Sequence, residues 1–302
     1  MKGIDAMDWL ERMNGAMDYI EVHLLDEIDY EQLAQKALCS NHHFQKMFSF
    51  ITDVSLSEYI RRRRLTLAAF ELQNSDIKII DLALKYGYDS PISFSRAFQN
   101  CHGIVPSHAR DKGIQLKAYP RMSFQLTLKG EIEMNYRIEE KSAFKVHGVD
   151  FVVKNTNEEN FTSIPEFWDK NYENGTVKRL EQIKLKNPIK NLCKVNAIMC
   201  YEMLENDTFP YMIGLIDFDG TSSVPSDLKT VNVGAYTWAI FRTENHKPSE
   251  TVEKIQAIWK RIFPEWFPNS GYEHAEGPDM ELYYMLDDTV GYSEVWIPVV
   301  KR

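Results

Sequence analysis

The chain has 302 residues, of which 44% are hydrophobic and 26% are charged, and its formal net charge is −9. This length exceeds one ordinary hydrophobic core and predicts two domains, and the composition is that of a globular chain. No run approaches the roughly 20 apolar residues of a membrane span, and the four cysteines lack metal-ligand spacing, so we expect a reduced, cytoplasmic protein without metal or cofactor.

Charge is distributed unevenly along the chain. Residues 1–32 carry two basic and nine acidic residues, whereas residues 33–112 carry eleven basic and seven acidic ones. The basic segment includes the run Arg61-Arg62-Arg63-Arg64. The negative total excludes a simple polycation, but the local sign of charge decides whether phosphate can approach, so a nucleic-acid-binding segment remains compatible with it.

Helical periodicity extends from residue 6 to residue 112. Apolar residues recur at spacings of three and four, as in Trp9, Met13 and Met17, which is the pattern of an amphipathic helix. No alternating strand pattern occurs before about residue 122. We therefore predict an all-α N-terminal domain over residues 1–112.

A first helix-turn-helix unit is predicted over residues 30–50, YEQLAQKALCSNHHFQKMFSF, where Cys39 and Ser40 interrupt two short amphipathic helices. Small residues in the first of these helices allow the pair to cross closely. In the second helix, phenylalanine and methionine side chains are predicted to face inward and polar ones outward. The outward side chains that we expect to read DNA bases are His42, Gln45 and Lys46.

A longer helix is predicted over residues 56–73 and carries the arginine run. Its length of roughly 25 Å suits a rod that holds two recognition helices about 34 Å, or one DNA turn, apart. Successive helical residues cannot all point into one groove, so we expect only some of the arginines to contact backbone phosphates. Arg61 and Arg62 are the candidates.

A second helix-turn-helix unit is predicted over residues 78–100, KIIDLALKYGYDSPISFSRAFQN. Gly87 ends its first helix, Ser90 caps the second, and Pro91 occupies the first helical position. The outward side chains that we expect to contact bases are Ile92, Ser93 and Arg96. Arg96 is the strongest candidate, because a bidentate contact between arginine and guanine discriminates well between bases.

Each of these features alone is also typical of structures that do not bind DNA. A single helix-turn-helix pattern can be ordinary helix packing, and a run of arginines is often a solvated face. Two such units in one chain, separated by a basic rod, favour DNA binding.

Residues 10–112 resemble the DNA-binding domain of the AraC/XylS family of bacterial transcription regulators. The resemblance is carried by LAQKALCSNHHFQKMFSFITDVSLSEYIRRRRL and IIDLALKYGYDSPISFSRAFQNCHGIVPSHAR. In that family both recognition helices enter successive segments of the major groove, which implies base-reading roles for the side chains named above. Asp53 stands where the family usually has glycine, and Pro91 with Ile92 replaces polar residues.

Residues 113–123 contain a glycine and a proline without a clear period and are a predicted linker. From residue 124 onward, alternating and β-branched runs predict strands, interrupted by helices near residues 164–186 and 249–263. The order of strands, helix and strands occurs twice, which indicates an internal duplication. The predicted fold is therefore an all-α double helix-turn-helix domain followed by an α+β domain, over residues 124–302, made of two strand-helix-strand-strand repeats.

The segment over residues 264–284, PEWFPNSGYEHAEGPDMELYY, combines aromatic side chains with several acids. On its predicted strand, Glu281 and Tyr283 share one face, because alternate strand residues point to the same side. An acid among aromatic rings attracts an amphipathic organic cation through charge and cation–π contact. Glu281 could equally pair with a lysine or face water.

Residues 125–302 resemble the GyrI-like effector-binding domains, also called the Rob or multidrug-regulator type, through GAYTWAIF, FPEWFPNSGYEHAEGPDMELYYML and YSEVWIPVV. The resemblance implies two repeats around a central cleft. It also implies that Glu281 faces cationic ligands. Tyr283 and four further aromatic residues are the expected cleft aromatics: Tyr236, Trp238, Trp266 and Phe267.

The combined expectation is a bacterial DNA-binding transcription regulator whose C-terminal domain binds a small, hydrophobic, cationic effector and is not an enzyme. One alternative is a GyrI-like hydrolase of small reactive compounds that uses Glu281 and Tyr283. Another is a ligand-free module that binds a protein. The expected partners are promoter DNA, the effector and RNA polymerase, and two recognition helices in one chain predict binding to DNA as a monomer.

Overall fold

The helices of the N-terminal half form the two predicted helix-turn-helix units. The computed structural model describes residues 6–37, 39, 41–111, 113–125, 133–154, 159–202, 204 and 208–301. The N-terminal helices in this range are α1 (Ala6–Val22), α2 (Tyr30–Ala37), α3 (Asn41–Thr52), α4 (Leu56–Asn74), α5 (Ile79–Lys85) and α6 (Pro91–His102). The first unit is α2 with α3, the second is α5 with α6, and α4 is the rod that joins them.

The ends of these helices follow from local chemistry. The Ser90 hydroxyl accepts a hydrogen bond from the backbone N–H of Ser93 at 3.2 Å, as predicted for the start of α6. Gly103 ends α6 in the left-handed region. Asp53, just after α3, also has a left-handed φ of 56°. Glycine adopts this conformation without steric cost, which gives the physical reason for its preference at that position.

The arginine run of α4 is divided between structural and surface roles. Arg63 makes a two-pronged contact with Glu21 of α1 at 2.7 and 2.9 Å. Arg64 donates to the backbone carbonyl oxygen of Leu24 at 2.7 Å. Arg63 therefore holds α1 against α4, and Arg64 holds the turn that follows α1. Arg61 and Arg62 instead pair with Glu58 of their own helix and remain partly exposed.

The predicted linker lies along the N-terminal helices. The backbone N–H of Tyr119 donates to the Thr66 hydroxyl on α4 at 3.1 Å. The amide of Asn14 on α1 both donates to and accepts from the backbone of Phe124, at 3.0 and 2.8 Å. The chain that leaves the second helix-turn-helix unit thus returns across α4 and α1 before the first strand begins.

The strands of the C-terminal half form one antiparallel sheet within the described residues. They are β1 (Asn135–Lys141), β2 (Phe144–Lys154), β3 (Asn196–Met199), β4 (Thr208–Asp217), β5 (Lys229–Val233), β6 (Tyr236–Arg242), β7 (Tyr272–His274), β8 (Asp279–Met285) and β9 (Gly291–Lys301). The order is β1-β6-β9-β8-β3-β4-β2-β5, with β7 paired to β9. The two repeats exchange their outer strands, because β1 of the first pairs with β6 and β5 of the second pairs with β2. The predicted α+β duplication is confirmed, and β3 and β8 meet at its centre.

The helices of this half differ from the prediction at their ends. The helix expected near residues 164–186 is two helices, α7 (Glu159–Glu173) and α8 (Thr176–Gln182), separated by Gly175 at a left-handed φ of 79°. α9 (Thr251–Arg261) continues through a π-helical turn into α10 (Phe267–Ser270).

Side chains alternate between two apolar layers on either face of the sheet. The sheet is strongly curved. Although four strands separate β2 from β6, the ring centroids of Phe144 on β2 and Trp238 on β6 lie only 6.3 Å apart on the concave face. α7 and α8 pack on the other face over the first repeat, and α9 packs there over the second. The sheet centre between these helices, at β3 and β8, forms the floor of a cleft.

Gly148 on β2 lies directly opposite Gly214 on β4, and a methyl group at Gly148 would meet the carbonyl oxygen of Ile213 at 2.1 Å. We expect Gly148→Ala to lower the free energy of unfolding by about 1–3 kcal/mol, as overpacking does. Thermal or urea unfolding measures this. The control is Gly15→Ala in α1, where a methyl group meets nothing within 4 Å. Because alanine favours helix, that change should stabilise the chain by about 0.5–1 kcal/mol, and equal losses from both variants would contradict the packing argument.

Candidate functional site

A cavity of about 500 Å³ lies in the cleft between α7 and α9, above β3 and β8. Its volume is within the range of about 300–1,000 Å³ that small-molecule sites have. Aromatic side chains from both repeats line it, among them Trp168, Tyr172, Phe209, Tyr211, Trp259 and Tyr283. The acids that line it are Asp169, Glu181 and Glu281.

Hydrogen bonds fix the carboxylate of Glu281 on the cavity floor. The indole N–H of Trp259 donates to one oxygen at 2.9 Å, and the hydroxyl of Tyr283 donates to the other at 3.1 Å. On the opposite wall the indole N–H of Trp168 donates to the Tyr211 hydroxyl at 2.9 Å. The acid therefore has a fixed position among rings whose polar ends are satisfied.

Burial has opposite consequences for the two acids of β8 that point to this side. Burial raises the pKa of Glu281, although the hydrogen bonds from Trp259 and Tyr283 and the charge of Lys46 oppose the rise. Burial would also raise the pKa of Asp279, but Lys46 and His274 more than offset it and hold that pKa well below its ordinary value. Asp279 is therefore a stable negative charge, whereas the raised pKa of Glu281 means that it takes up a proton at a higher pH than an ordinary glutamate.

Lys46 of the first helix-turn-helix unit reaches into this site from α3. Its ammonium nitrogen lies 2.5 Å from Oδ2 of Asp279, and both side chains are almost completely buried, at 4% and 3% exposure. The same nitrogen lies 4.4 Å from the ring centroid of Trp259, a cation–π distance. Lys46 also lines the cavity, so the N-terminal half contributes a residue to it.

Of the predicted effector residues, the cavity contains Glu281 and Tyr283. The expectation that Tyr236 and Trp238 line the same cleft is wrong, because they lie in the apolar layer on the opposite face, where Trp238 packs against Trp296. The expectation that Trp266 and Phe267 line the cleft is also wrong. These two rings belong to the apolar cluster that joins α10 to α1.

The sequence analysis missed other residues of the site, and only some of them could have been predicted from the sequence. Asp279 precedes Glu281 by two residues on the same predicted strand, so the alternation rule could have placed both on one face. Trp168 and Trp259 lie on the helices of the two repeats, and the duplication could have paired them. The position of Lys46 had no such signal, because its partner Asp279 is 233 residues away.

The structure corrects the predicted orientation of α3. Gln45 and Lys46, expected to face outward, are buried at 6% and 3% exposure because α3 packs against the C-terminal half. The side chain of His42 lies outside the described part of the chain. Base reading by these three residues stays a prediction.

The second recognition helix is differently placed. Ile92, Ser93 and Arg96 of α6 are exposed, and Ile92 retains 67% of its accessible surface. Arg61 and Arg62 keep 41% and 30% of their side-chain surface exposed. Four of these five exposed side chains are polar or basic and one is apolar, a composition that can meet phosphates and base edges.

The described residues contain no group of three or more histidine, cysteine, aspartate or glutamate side chains placed to hold a metal ion. No helix among them is long and apolar enough to cross a membrane.

Comparison with known proteins divides the chain in the same place. Residues 33–112 match a helix-turn-helix domain family, and residues 137–299 match the family described as integron-associated effector binding protein. The transcriptional activator AarP of Providencia stuartii is 42% identical over 89 residues, which are 30% of this chain and 66% of AarP. The regulatory protein SoxS of Salmonella typhimurium is 36% identical over 96 residues, which are 32% of this chain and 90% of SoxS.

Among solved structures, SAV2435 bound to tetraphenylphosphonium covers 55% of this chain and 94% of its own, at 17% identity and a TM-score of 0.44.

The double helix-turn-helix unit and the cleft-bearing sheet define a DNA-binding transcription regulator with a C-terminal effector-binding domain. The chain belongs to the family of integron-associated effector-binding proteins through residues 137–299, joined to an AraC-type helix-turn-helix domain. Both resemblances found in the sequence are thereby confirmed.

The indole of Trp259 supplies a testable part of the site. We expect Trp259→Phe, which keeps an aromatic ring but removes the N–H, to raise the pKa of Glu281 further. Leaving the buried carboxylate short of one donor should also lower the free energy of unfolding by about 1–3 kcal/mol. A carbon-13 NMR titration of the Glu281 carboxyl and urea unfolding measure the two effects.

The matched control is Trp266→Phe. The indole nitrogen of Trp266 is buried and has no hydrogen-bond partner among the described residues, and the ring lies outside the cavity. The titration of Glu281 should therefore be unchanged in this variant. An equal shift in both variants would contradict a specific contact between Trp259 and Glu281.

Proposed function

We propose that this regulator senses a hydrophobic organic cation in the cavity between α7 and α9. The observation that carries the proposal is the Glu281 carboxyl group, held by Trp259 and Tyr283 on the floor of an aromatic cavity of about 500 Å³. A buried acid has a large desolvation cost, and a neutral apolar ligand would offset none of it. A cation at this place restores the charge balance.

The aromatic walls make the same preference stronger. Rings such as Trp168, Tyr172 and Tyr283 present negative faces, which attract a delocalised cation, and they also bury its apolar groups. A small hydrated ion would gain little of this second contribution. The proposed ligand class is therefore an amphipathic cation with aromatic or alkyl substituents.

On the DNA side, we propose that the chain binds a promoter as a monomer, since it carries two recognition helices on one rod. The reading side chains are proposed to be those predicted from the sequence on α3 and α6, with phosphate contacts from Arg61 and Arg62. A cytoplasmic location and recruitment of RNA polymerase accompany this role. Ligand control requires that the cation favours one arrangement of the domains.

Hydrolysis by Glu281 and Tyr283 is the second candidate, supported by their direct contact at 3.1 Å inside the cavity. However, burial and the neighbouring charge of Glu281 raise the pKa of Tyr283 well above its ordinary value. The phenol is therefore a poor nucleophile at neutral pH.

We propose binding without turnover. Incubation of the protein with a reactive ester or epoxide, followed by mass spectrometry of the compound, tests this proposal. Formation of hydrolysed product would support the hydrolase instead.

The sensing proposal predicts discrimination by charge. We expect methyltriphenylphosphonium to quench tryptophan fluorescence saturably, and triphenylphosphine oxide, a neutral compound of nearly the same shape, to bind at least about tenfold more weakly. Glu281→Gln removes the charge and keeps the size of the side chain. It should lower the affinity for the cation by about tenfold, which corresponds to about 1.4 kcal/mol, and leave the affinity for the phosphine oxide unchanged.

The control is Glu253→Gln, which changes an exposed acid of α9 outside the cavity lining and should leave both affinities unchanged. The affinity of the unmodified chain for the cation should also fall as the pH is lowered. Protonation removes the charge of Glu281, and its raised pKa starts this loss above the ordinary glutamate range. A cation affinity that is equal in all variants would contradict a site at Glu281.

The DNA-binding proposal predicts different effects for two arginines. Arg96→Ala should weaken binding to a duplex selected from a random pool by about tenfold to a hundredfold. This loss corresponds to the free energy of about 1–3 kcal/mol that a bidentate base contact contributes. Binding to unselected duplexes should weaken much less. Fluorescence anisotropy with labelled duplexes of both kinds measures the difference.

Arg62→Ala provides the contrast. A phosphate contact carries no sequence information, so both kinds of duplex should lose affinity alike, and the slope of log affinity against log salt should fall by about one. Arg179→Ala, an exposed pair with Asp227 in the C-terminal half, should change neither. The proposed division of roles would be wrong if Arg96→Ala and Arg62→Ala gave the same pattern.

A further inference from the structure

The helix that should enter the DNA groove is covered by the effector-binding half. In a helix-turn-helix unit the second helix lies in the major groove, and in the first unit this helix is α3. Gln45, Lys46 and Ser49 of α3 are each exposed by 6% or less. α3 packs against α9, and Met47 and Phe48 share one apolar cluster with Phe263. While this contact lasts, α3 cannot lie in a groove.

The contact is anchored by a cation in an acidic pocket. The ammonium group of Lys46 lies between Asp279 and the ring of Trp259, and the N–H of that same ring donates to Glu281. Asp279 and Glu281 are two residues apart on β8, so both carboxylates face this side of the sheet. The lysine thus has an ion pair and a cation–π contact, the two interactions proposed for the effector.

We propose that Asp279, Trp259 and Glu281 form a subsite for a cationic group, and that Lys46 occupies it as an internal competitor of the effector. An entering organic cation takes the ion pair and the ring face from Lys46. The lysine then leaves the pocket, and α3 loses the polar anchor that holds it against β8. The inference rests on the proposed function, since it assigns the regulation of that same cavity.

The replacement of Lys46 by an organic cation conserves the charge beside Asp279. One cation replaces another beside the same carboxylate, so Asp279 is at no point left as a buried charge without a partner, which would be strongly unfavourable. The displaced Lys46 regains water. Glu281, which lines the cavity beside Lys46, is a second acid and accommodates a delocalised charge that Asp279 alone does not neutralise.

The competition makes cation binding and DNA binding reinforce each other. Engagement of α3 with DNA requires Lys46 outside the pocket, and occupation of the pocket by a cation requires the same. By linkage, the factor by which the cation strengthens DNA binding equals the factor by which DNA strengthens cation binding. Helix α6, with Arg96 exposed, is accessible in either arrangement.

Removal of the competitor tests the proposal. We expect Lys46→Met to bind methyltriphenylphosphonium at least tenfold more tightly than the unmodified chain, measured by tryptophan fluorescence, with the affinity for triphenylphosphine oxide changed by less than threefold. The control is Lys36→Met, which changes an exposed lysine of α2 and should leave the affinity for the cation unaltered. An unchanged or weaker cation affinity in folded Lys46→Met overturns the proposal.

A second measurement needs no substitution. Lys260 of α9 and Asp53 after α3 form an exposed ion pair at 2.7 Å across the same contact, and a carbodiimide joins such a pair as an amide that mass spectrometry detects. We expect the cation to reduce the yield of this amide several-fold and triphenylphosphine oxide to leave it unchanged. A yield that stays constant at saturating cation overturns the release of α3.

The outcomes separate the two proposals. If the cation binds at Glu281 but neither Lys46→Met nor the cross-link responds, the sensor stands and the competition is wrong. If the cation binds only to Lys46→Met, the competition is supported in its strongest form. If neither protein binds the cation, the proposed function fails and the competition fails with it.

Discussion

The buried ion pair between Lys46 and Asp279 is the constraint on which the arrangement of the two halves depends. Each ion loses several kcal/mol of hydration on burial, so the pair persists only with good geometry and further partners. The ring of Trp259 lies near the ammonium group, and His274 lies 3.3 Å from the second oxygen of Asp279. Because loss of either partner would leave an uncompensated buried charge, the pair favours one position of α3 against β8, together with the apolar contacts of Met47 and Phe48.

The duplicated sheet explains why the acids lie where they do. The exchange of outer strands brings β3 and β8 together at the centre, where Ala197 lies opposite Glu281 and Met199 lies opposite Asp279. The first repeat therefore supplies small or apolar side chains at the positions where the second supplies carboxylates. A symmetric backbone thus carries carboxylates on only one of its two central strands, and Lys46 of α3 pairs with one of them.

Signals that act within a few residues predicted most of this architecture. Ser90 and Gly87 marked the second helix-turn-helix unit because caps and turns are local chemistry, and alternation along one strand placed Glu281 and Tyr283 on a common face. Alternation along β6 places Tyr236 and Trp238 on a common face but does not identify that face, which in the structure is opposite to the cleft. The contact between Lys46 and Asp279 could not be predicted in this way. A lysine on a recognition helix has the same residue type whether it meets DNA or an aspartate 233 residues away.

The proposed internal competitor, Lys46, also sets a requirement for what can displace it. A tethered group competes at an effective concentration that reaches millimolar values for short connections, so an ammonium ion that offers only a charge cannot remove Lys46 at ordinary concentrations. A successful ligand must add contacts that the lysine does not make, and those are available along the rings of Trp168, Tyr172 and Tyr283 in the rest of the cavity. Under the proposed competition, the pocket that pairs with Lys46 selects for charge, and the aromatic volume beyond it selects for size. The proposal therefore requires a ligand that has both properties.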